Sequence, residues 1–196
     1  MNKYLRIFIL FTAAMALFLL FKTQQNRSKL EDEMQYHAGL LRSMALTSGA
    51  FNDGGPIPID YTAKGKNISP PLQWGNIPQD ARSLAVIVTD YDAPSPNFKM
   101  FVASHWVLYN IPVSVSNLPA AISAAALKQE GISVGKNYAG DHIYTGPNPP
   151  IGVHEYYFRI YALDFANLFL ANDTRDELMH AMKGHILSYG ELVGRF

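Results

Sequence analysis

Ser83-Leu84-Ala85-Val86-Ile87-Val88-Thr89-Asp90 is a run of strand length, rich in β-branched residues, with a turn-forming Asp at its end. Two further segments have the same texture. They are His105-Trp-Val-Leu-Tyr-Asn-Ile111, closed by Pro112, and Tyr156-Tyr-Phe-Arg-Ile-Tyr-Ala-Leu163, closed by Asp164. Bulky apolar side chains recur at alternate positions in each, and Pro, Gly, Asn and Asp fill the intervals. Short strands joined by such loops predict a mainly β fold, an antiparallel β-sandwich of two sheets with a few peripheral helices. One helix is expected late in the chain. Thr174-Arg-Asp-Glu177 is a capping box, and Leu178, Met182, Ile186, Tyr189 and Val193 follow at steps of three and four. A second, short helix is expected within Ala120 to Gln129.

The N-terminus adds a hydrophobic helix. Ile7 to Phe21 is uncharged and apolar, and Lys3 and Arg6 precede it, the pattern of an export signal. The small-x-small triplet Ala14-Met15-Ala16 lies inside the run rather than after it. We therefore read residues 1–21 as an uncleaved signal anchor with its basic end inside, and a cleaved signal peptide as the alternative. The anchor places the domain on the exported side, periplasmic or extracellular; cleavage would make it secreted. Residues 22–42 are polar and helix-friendly and read as a linker, a stalk or short surface helix. Residues 43–196 form the domain.

Composition narrows the function. Sixteen basic and sixteen acidic residues give no net charge, so nucleic acid is a poor partner. Lys22, Arg27 and Lys29 are too thinly spread for a polybasic lipid clamp. The absence of cysteine removes disulfide scaffolds, thiolate metal sites and cysteine nucleophiles. No H-E-x-x-H, G-x-S-x-G or glycine-rich phosphate loop occurs, and the expectation is of no cofactor and no metal.

Several polar residues interrupt or border the strands. Asp90 and Asp92 are two apart, so on an extended chain they face the same way, as do His154 and Tyr156. His105 opens a strand. Gly146-Pro147-Asn148-Pro149-Pro150 restricts its own backbone and can hold a neighbouring group in place. Taken singly, an Asp at a strand end is ordinarily a turn residue and a His beside Trp is ordinarily packed.

Together these residues form an ordered set: Asp90-Tyr-Asp-Ala-Pro94, Ser104-His105-Trp106, Tyr144-Thr-Gly-Pro-Asn-Pro-Pro150 and Gly152-Val-His-Glu-Tyr156. The set resembles the phosphatidylethanolamine-binding protein family, in particular its bacterial, Raf-kinase-inhibitor-like branch. Phe51-Asn-Asp-Gly54, Ser69-Pro-Pro-Leu72 and Gly135-Lys-Asn137 support it, and the match runs from about Met44 to the C-terminus. The resemblance implies two antiparallel sheets and an anion pocket at one end for phosphate-type head groups. It carries that pocket onto Asp90, Asp92, Pro94, His105, Gly146, Pro147, His154 and Tyr156. Two carboxylates beside a phosphate make sense if they hold His105 and loop amides in place while those groups donate to the anion. Tyr91 stands where the family usually has proline, implying a less rigid loop or a narrower mouth. Phe98, Met100 and Phe101 are expected to form a lipid-facing rim or simply to pack.

The leading expectation is therefore a non-enzymatic module that binds a small anionic or phospholipid head group near a membrane. A regulator acting through protein contact, kinase-inhibitor-like by family analogy, is the alternative. A hydrolase is third, since Ser104 and His105 face opposite ways on a strand and cannot pair.

Overall fold

The computed structural model describes residues 2–196. Helix α1 (Lys3–Ala38) is followed by strands β1 (Ala45–Thr47), β2 (Gly55–Pro56), β3 (Leu72–Gly75) and β4 (Ser83–Asp90). The hairpin β5 (Pro94–Ser95) and β6 (Phe98–Lys99) leads to β7 (Ala103–Ile111) and β8 (Asn117–Leu118). Then come α2 (Ala124–Gln129), β9 (Ser133–Val134), β10 (Glu155–Leu163), α3 (Arg175–Met182) and β11 (Ile186–Arg195). The three strands read from the sequence are β4, β7 and β10, and they are neighbours in a six-stranded sheet of order β2-β11-β10-β4-β7-β9. A three-stranded sheet, β1-β3-β8, is separate from it.

All eight residues of β4 are buried, which explains its almost unbroken apolar run. Leu84, Val86 and Val88 face one way and meet Leu46, Leu72, Trp74 and Leu118 of the small sheet in the main core. Ala85 and Ile87 face the other way and pack with Leu178 and Met182 of α3. The large sheet is thus covered on both faces.

Two expectations are corrected. The large sheet is mixed, because β2 runs parallel to β11; the sheets are not antiparallel throughout. The C-terminal helix also stops at Met182, and Ile186–Arg195, expected to continue it, is the strand β11, antiparallel to β10. Gly184 breaks the helix with φ 84°, a left-handed conformation glycine adopts without strain. Beyond it, glycines let other groups approach the strand closely. A Cβ at Gly190 would lie 2.7 Å from the Met44 carbonyl oxygen, and one at Gly194 would lie 2.5 Å from Ile57 Cγ1.

Residues 22–38 continue α1 without a break. Thr23, Asn26, Leu30, Glu33 and His37 recur at steps of three and four, and each is buried or half-buried, so this segment lies against the domain rather than standing free of it. Burial alone would push the Glu33 carboxyl up, but the charge of Arg175 and hydrogen bonds from Arg175 and Tyr91 hold it below the usual carboxylate range. Arg159 Nη1 donates to Tyr91 Oη at 2.6 Å and its Nε donates to Glu191 at 2.7 Å. His37 Nε2 meets Tyr161 Oη at 2.8 Å. Glu33 and His37 of the helix are thereby matched by Arg175, Tyr91 and Tyr161 of the domain. The apolar part of α1 before Lys22 is exposed and is long and apolar enough to cross a membrane.

Candidate functional site

One end of the large sheet brings the singled-out residues together. Tyr156 pairs with Asp90, and Asp90 with Ala103, so the three lie in one row across β10, β4 and β7. His105 stands two residues along β7 from that row, and His154 two residues before Tyr156. A cavity of about 100 Å³ opens here, lined by Asp90, Pro94, His105, His154 and Tyr156 among others. Pro94 follows a cis peptide bond. Tyr138, Asn148, Pro149 and Pro150, which the resemblance did not place in the pocket, complete the wall together with Phe101. Tyr138 sets its ring edge-on to His105, centroids 5.1 Å apart.

Asp92, Gly146 and Pro147 stand behind the wall rather than on it. Asp92 Oδ2 accepts from the Glu155 amide at 2.9 Å and Oδ1 pairs with Lys99 Nζ at 2.6 Å, tying the β5–β6 hairpin to the start of β10. The Gly146 amide donates to Asn67 Oδ1 at 2.7 Å, and the Pro147 carbonyl accepts from Ala63 at 3.0 Å. A Cβ on Gly146 would lie 2.6 Å from the Tyr61 carbonyl oxygen, so only glycine lets the two loops touch. These contacts set Asn148, Pro149 and Pro150 at the cavity.

The expected roles of the carboxylates change. Asp90 holds His154, not His105: His154 Nδ1 donates to Asp90 Oδ2 at 2.8 Å, while Asp90 Oδ1 accepts the Asp92 amide at 2.6 Å. His154 Nε2 faces the Ile151 carbonyl at 3.2 Å. A carbonyl and a carboxylate both accept, so each ring nitrogen of His154 faces an acceptor within the protein. With Lys99 on Asp92, and His154 and the Asp92 amide on Asp90, the acids beside the cavity are engaged within the protein.

His105 is fixed by Thr145. Its Nδ1 donates to the Thr145 carbonyl at 2.7 Å, and its own carbonyl accepts the Thr145 amide at 2.9 Å. Asn137 steadies Thr145 in turn, donating to its Oγ1 at 2.7 Å. Burial pulls the His105 imidazole below its ordinary pKa, so the ring is neutral at pH 7 with Nε2 as an acceptor. No protein hydrogen bond reaches that Nε2 among the described residues. Tyr156 Oη is likewise buried without a partner. Burial also pushes the Tyr156 hydroxyl up, keeping it a donor.

Tyr91 does not narrow the mouth. It is 2% exposed, does not line the cavity, and joins Glu33, Arg159 and Arg175 under α1. Phe101 is 48% exposed and lies on the cavity rim. Among the described residues, no group of three or more His, Asp or Glu side chains is placed to hold a metal ion.

Residues 47–196 match the family model for phosphatidylethanolamine-binding protein. The UPF0098 protein of Methanothermobacter thermautotrophicus is 42% identical over 153 residues, which is 78% of this chain and 98% of that protein. The UPF0098 protein of Chlamydia muridarum is 42% identical over the same shares of each chain. Among solved structures, a phosphatidylethanolamine-binding protein homologue from Chlamydia trachomatis matches with a TM-score of 0.70 at 39% identity, over 79% of this chain and 97% of that one. The crystal structure of E. coli YbcL has the same fold, with a TM-score of 0.70 at 24% identity over 78% of this chain and 97% of that one. With a match of this extent and a row of site residues in register, the chain belongs to the phosphatidylethanolamine-binding protein family.

Proposed function

We propose that this protein binds a phosphate-bearing group in the His105 cavity, without catalysis, as a domain tethered to a membrane by α1. The observation that carries the reading is the pair of unpartnered polar atoms at one small cavity, His105 Nε2 and Tyr156 Oη. A buried hydroxyl with no partner costs on the order of 1–3 kcal/mol, and a ligand oxygen at that position recovers it. Tyr156 Oη donates to a phosphate oxygen, and His105 Nε2 accepts from a P–OH or binds the anion as its own protonated form. The volume of about 100 Å³ suits a group of a few heavy atoms, since one water takes about 30 Å³ in the liquid. The rest of such a ligand lies over the apolar rim of Phe101 and Tyr138.

Binding rather than hydrolysis is supported by the lining, which includes no Ser, Thr, Lys or Cys beside His105. Asp90, the one carboxylate there, is engaged on both oxygens. The tether is supported by the exposed apolar half of α1, and the basic residues before it favour export of the domain. A titration with phosphate and phosphoethanolamine tests the reading: saturable binding that Tyr156→Phe weakens supports it. Turnover of a phosphoester would replace it by an enzyme.

A further inference from the structure

A groove of about 700 Å³ runs between α1, the Met100–Val102 segment and α3, sharing Phe101 with the His105 cavity. Its helix side lies outside the residues that match the family. Three lysines line it: Lys22 and Lys29 from α1, and Lys183 just past α3. None of them is in a salt bridge among the described residues. The lysines looked scattered along the chain, but the fold gathers them. The wall also carries Asp32, Glu33 and Asp176. Arg175 holds both Glu33 and Asp176, which leaves Asp32 alone against three free ammonium groups. Asn26 lines the same groove, is 6% exposed, and has a buried Nδ2 donor without a partner.

The groove begins where the apolar half of α1 ends. Lys22 follows Phe21 directly, and its Nζ lies 5.9 Å from the Phe18 ring centroid. Lys22 and Lys29 stand on one side of the helix, about 10 Å apart along its axis. If α1 crosses a bilayer, that interval falls in the head-group layer, where lysines attract anionic lipid.

We propose that this groove holds the head group of an anionic phospholipid of the surrounding membrane, with its phosphate against Lys22, Lys29, Lys183 and the Asn26 amide. The site is separate from the His105 cavity and rests on the reading of α1 as an anchor. Its acyl chains would run down the apolar side of α1. The occupant would fix how the domain sits on the membrane, because it bridges α1 and α3.

The full chain is reconstituted in phosphatidylcholine nanodiscs with and without phosphatidylglycerol, and retained lipid is read by native mass spectrometry. The expected result is preferential retention of phosphatidylglycerol. Lys183→Gln, remote from the anchor and from the cavity, should lower it about fivefold, the effect of one lysine at a charged surface. Asn26→Leu should lower it as well. Insertion with no preference over phosphatidylcholine, or a preference that Lys183→Gln leaves unchanged, overturns the site while the anchor stands. A chain that inserts in neither disc overturns both readings. Equal binding of glycerol phosphate by protein in phosphatidylcholine discs assigns the groove to a soluble phosphate and overturns the lipid.

Discussion

Replacing Glu33 by Gln keeps the shape of α1 and removes the charge that links it to the sheet. Glu33 accepts from both Arg175 and Tyr91, and Arg159 Nη1 lies 3.7 Å from it. The side chains of Arg175 and Arg159 are 9% and 3% exposed. Stripping one partner from a buried ion pair costs about 3–5 kcal/mol, because the remaining charge is left uncompensated. Here each arginine retains a second carboxylate, Asp176 for Arg175 and Glu191 for Arg159, so the lower part of that range or just below applies, about 2–3 kcal/mol. For a domain of this size that lowers Tm by about 5–10 °C. The assay is thermal unfolding of the full chain in detergent micelles, read by the fluorescence of Trp74 and Trp106, both buried in the core. A cycle with Tyr91→Phe should show coupling of about 1 kcal/mol or more. The dependence on pH has a fixed sign. A carboxyl held below its ordinary value of 4.5 stabilises the fold above that value, and the contribution drains as pH falls through the lower folded value. Glu33→Gln should flatten that acid limb. A loss below about 0.5 kcal/mol, with no coupling to Tyr91, would refute the docking of α1 on the domain, since an exposed pair contributes that little.

Three further outcomes follow from the same contacts. Tyr156→Phe removes an unpartnered buried hydroxyl, so urea unfolding should show stability unchanged or raised, while phosphate Kd rises roughly ten- to a hundredfold for a lost charge-assisted bond of about 1.5–3 kcal/mol. Because burial lowers the His105 pKa from 6.5, the unfolded chain binds the proton more readily; His105 should therefore drain stability as pH falls from 6.5 toward its folded value, and an unfolding series should lose that slope in His105→Asn. Gly190→Ala places a Cβ 2.7 Å from the Met44 carbonyl and should cost about 1–3 kcal/mol in denaturant unfolding, whereas a helix at this position would be strengthened by alanine.

Much of the fold was legible because β4, β7 and β10 bury long apolar runs bounded by Pro and Asp, and such runs fix strands almost by themselves. The C-terminal helix was over-read because Ile186, Tyr189 and Val193 fit a helical period by spacing alone. What decides the matter is non-local: β11 covers what would otherwise be an edge of β10, and Gly190 and Gly194 let Met44 and Ile57 close on it. The site was legible as a set of residue types but not as a wiring diagram. The resemblance put Asp90 in one pocket with two histidines and implied that it holds His105; the register of β4 with β10 instead brings His154 within 2.8 Å, while Thr145 takes His105. Tyr138 was missed although it adjoins the quoted Gly135-Lys-Asn137 segment, because only the fold carries it to His105. The docking stripe of α1 was hidden by its polarity, since Thr23, Asn26, Glu33 and His37 have none of the apolar character by which a packed helix face is ordinarily found.

The most direct test of phosphate binding is a titration of the full chain with inorganic phosphate, followed by NMR of histidine ring nitrogens labelled with nitrogen-15. The chain has six histidines, and the exposed His142 and His185 serve as internal controls. The account predicts a saturable shift of the His105 Nε2 resonance, absent in Tyr156→Phe at the same phosphate concentration, with His142 and His185 still. No shift at His105, or equal shifts at all three, would contradict it.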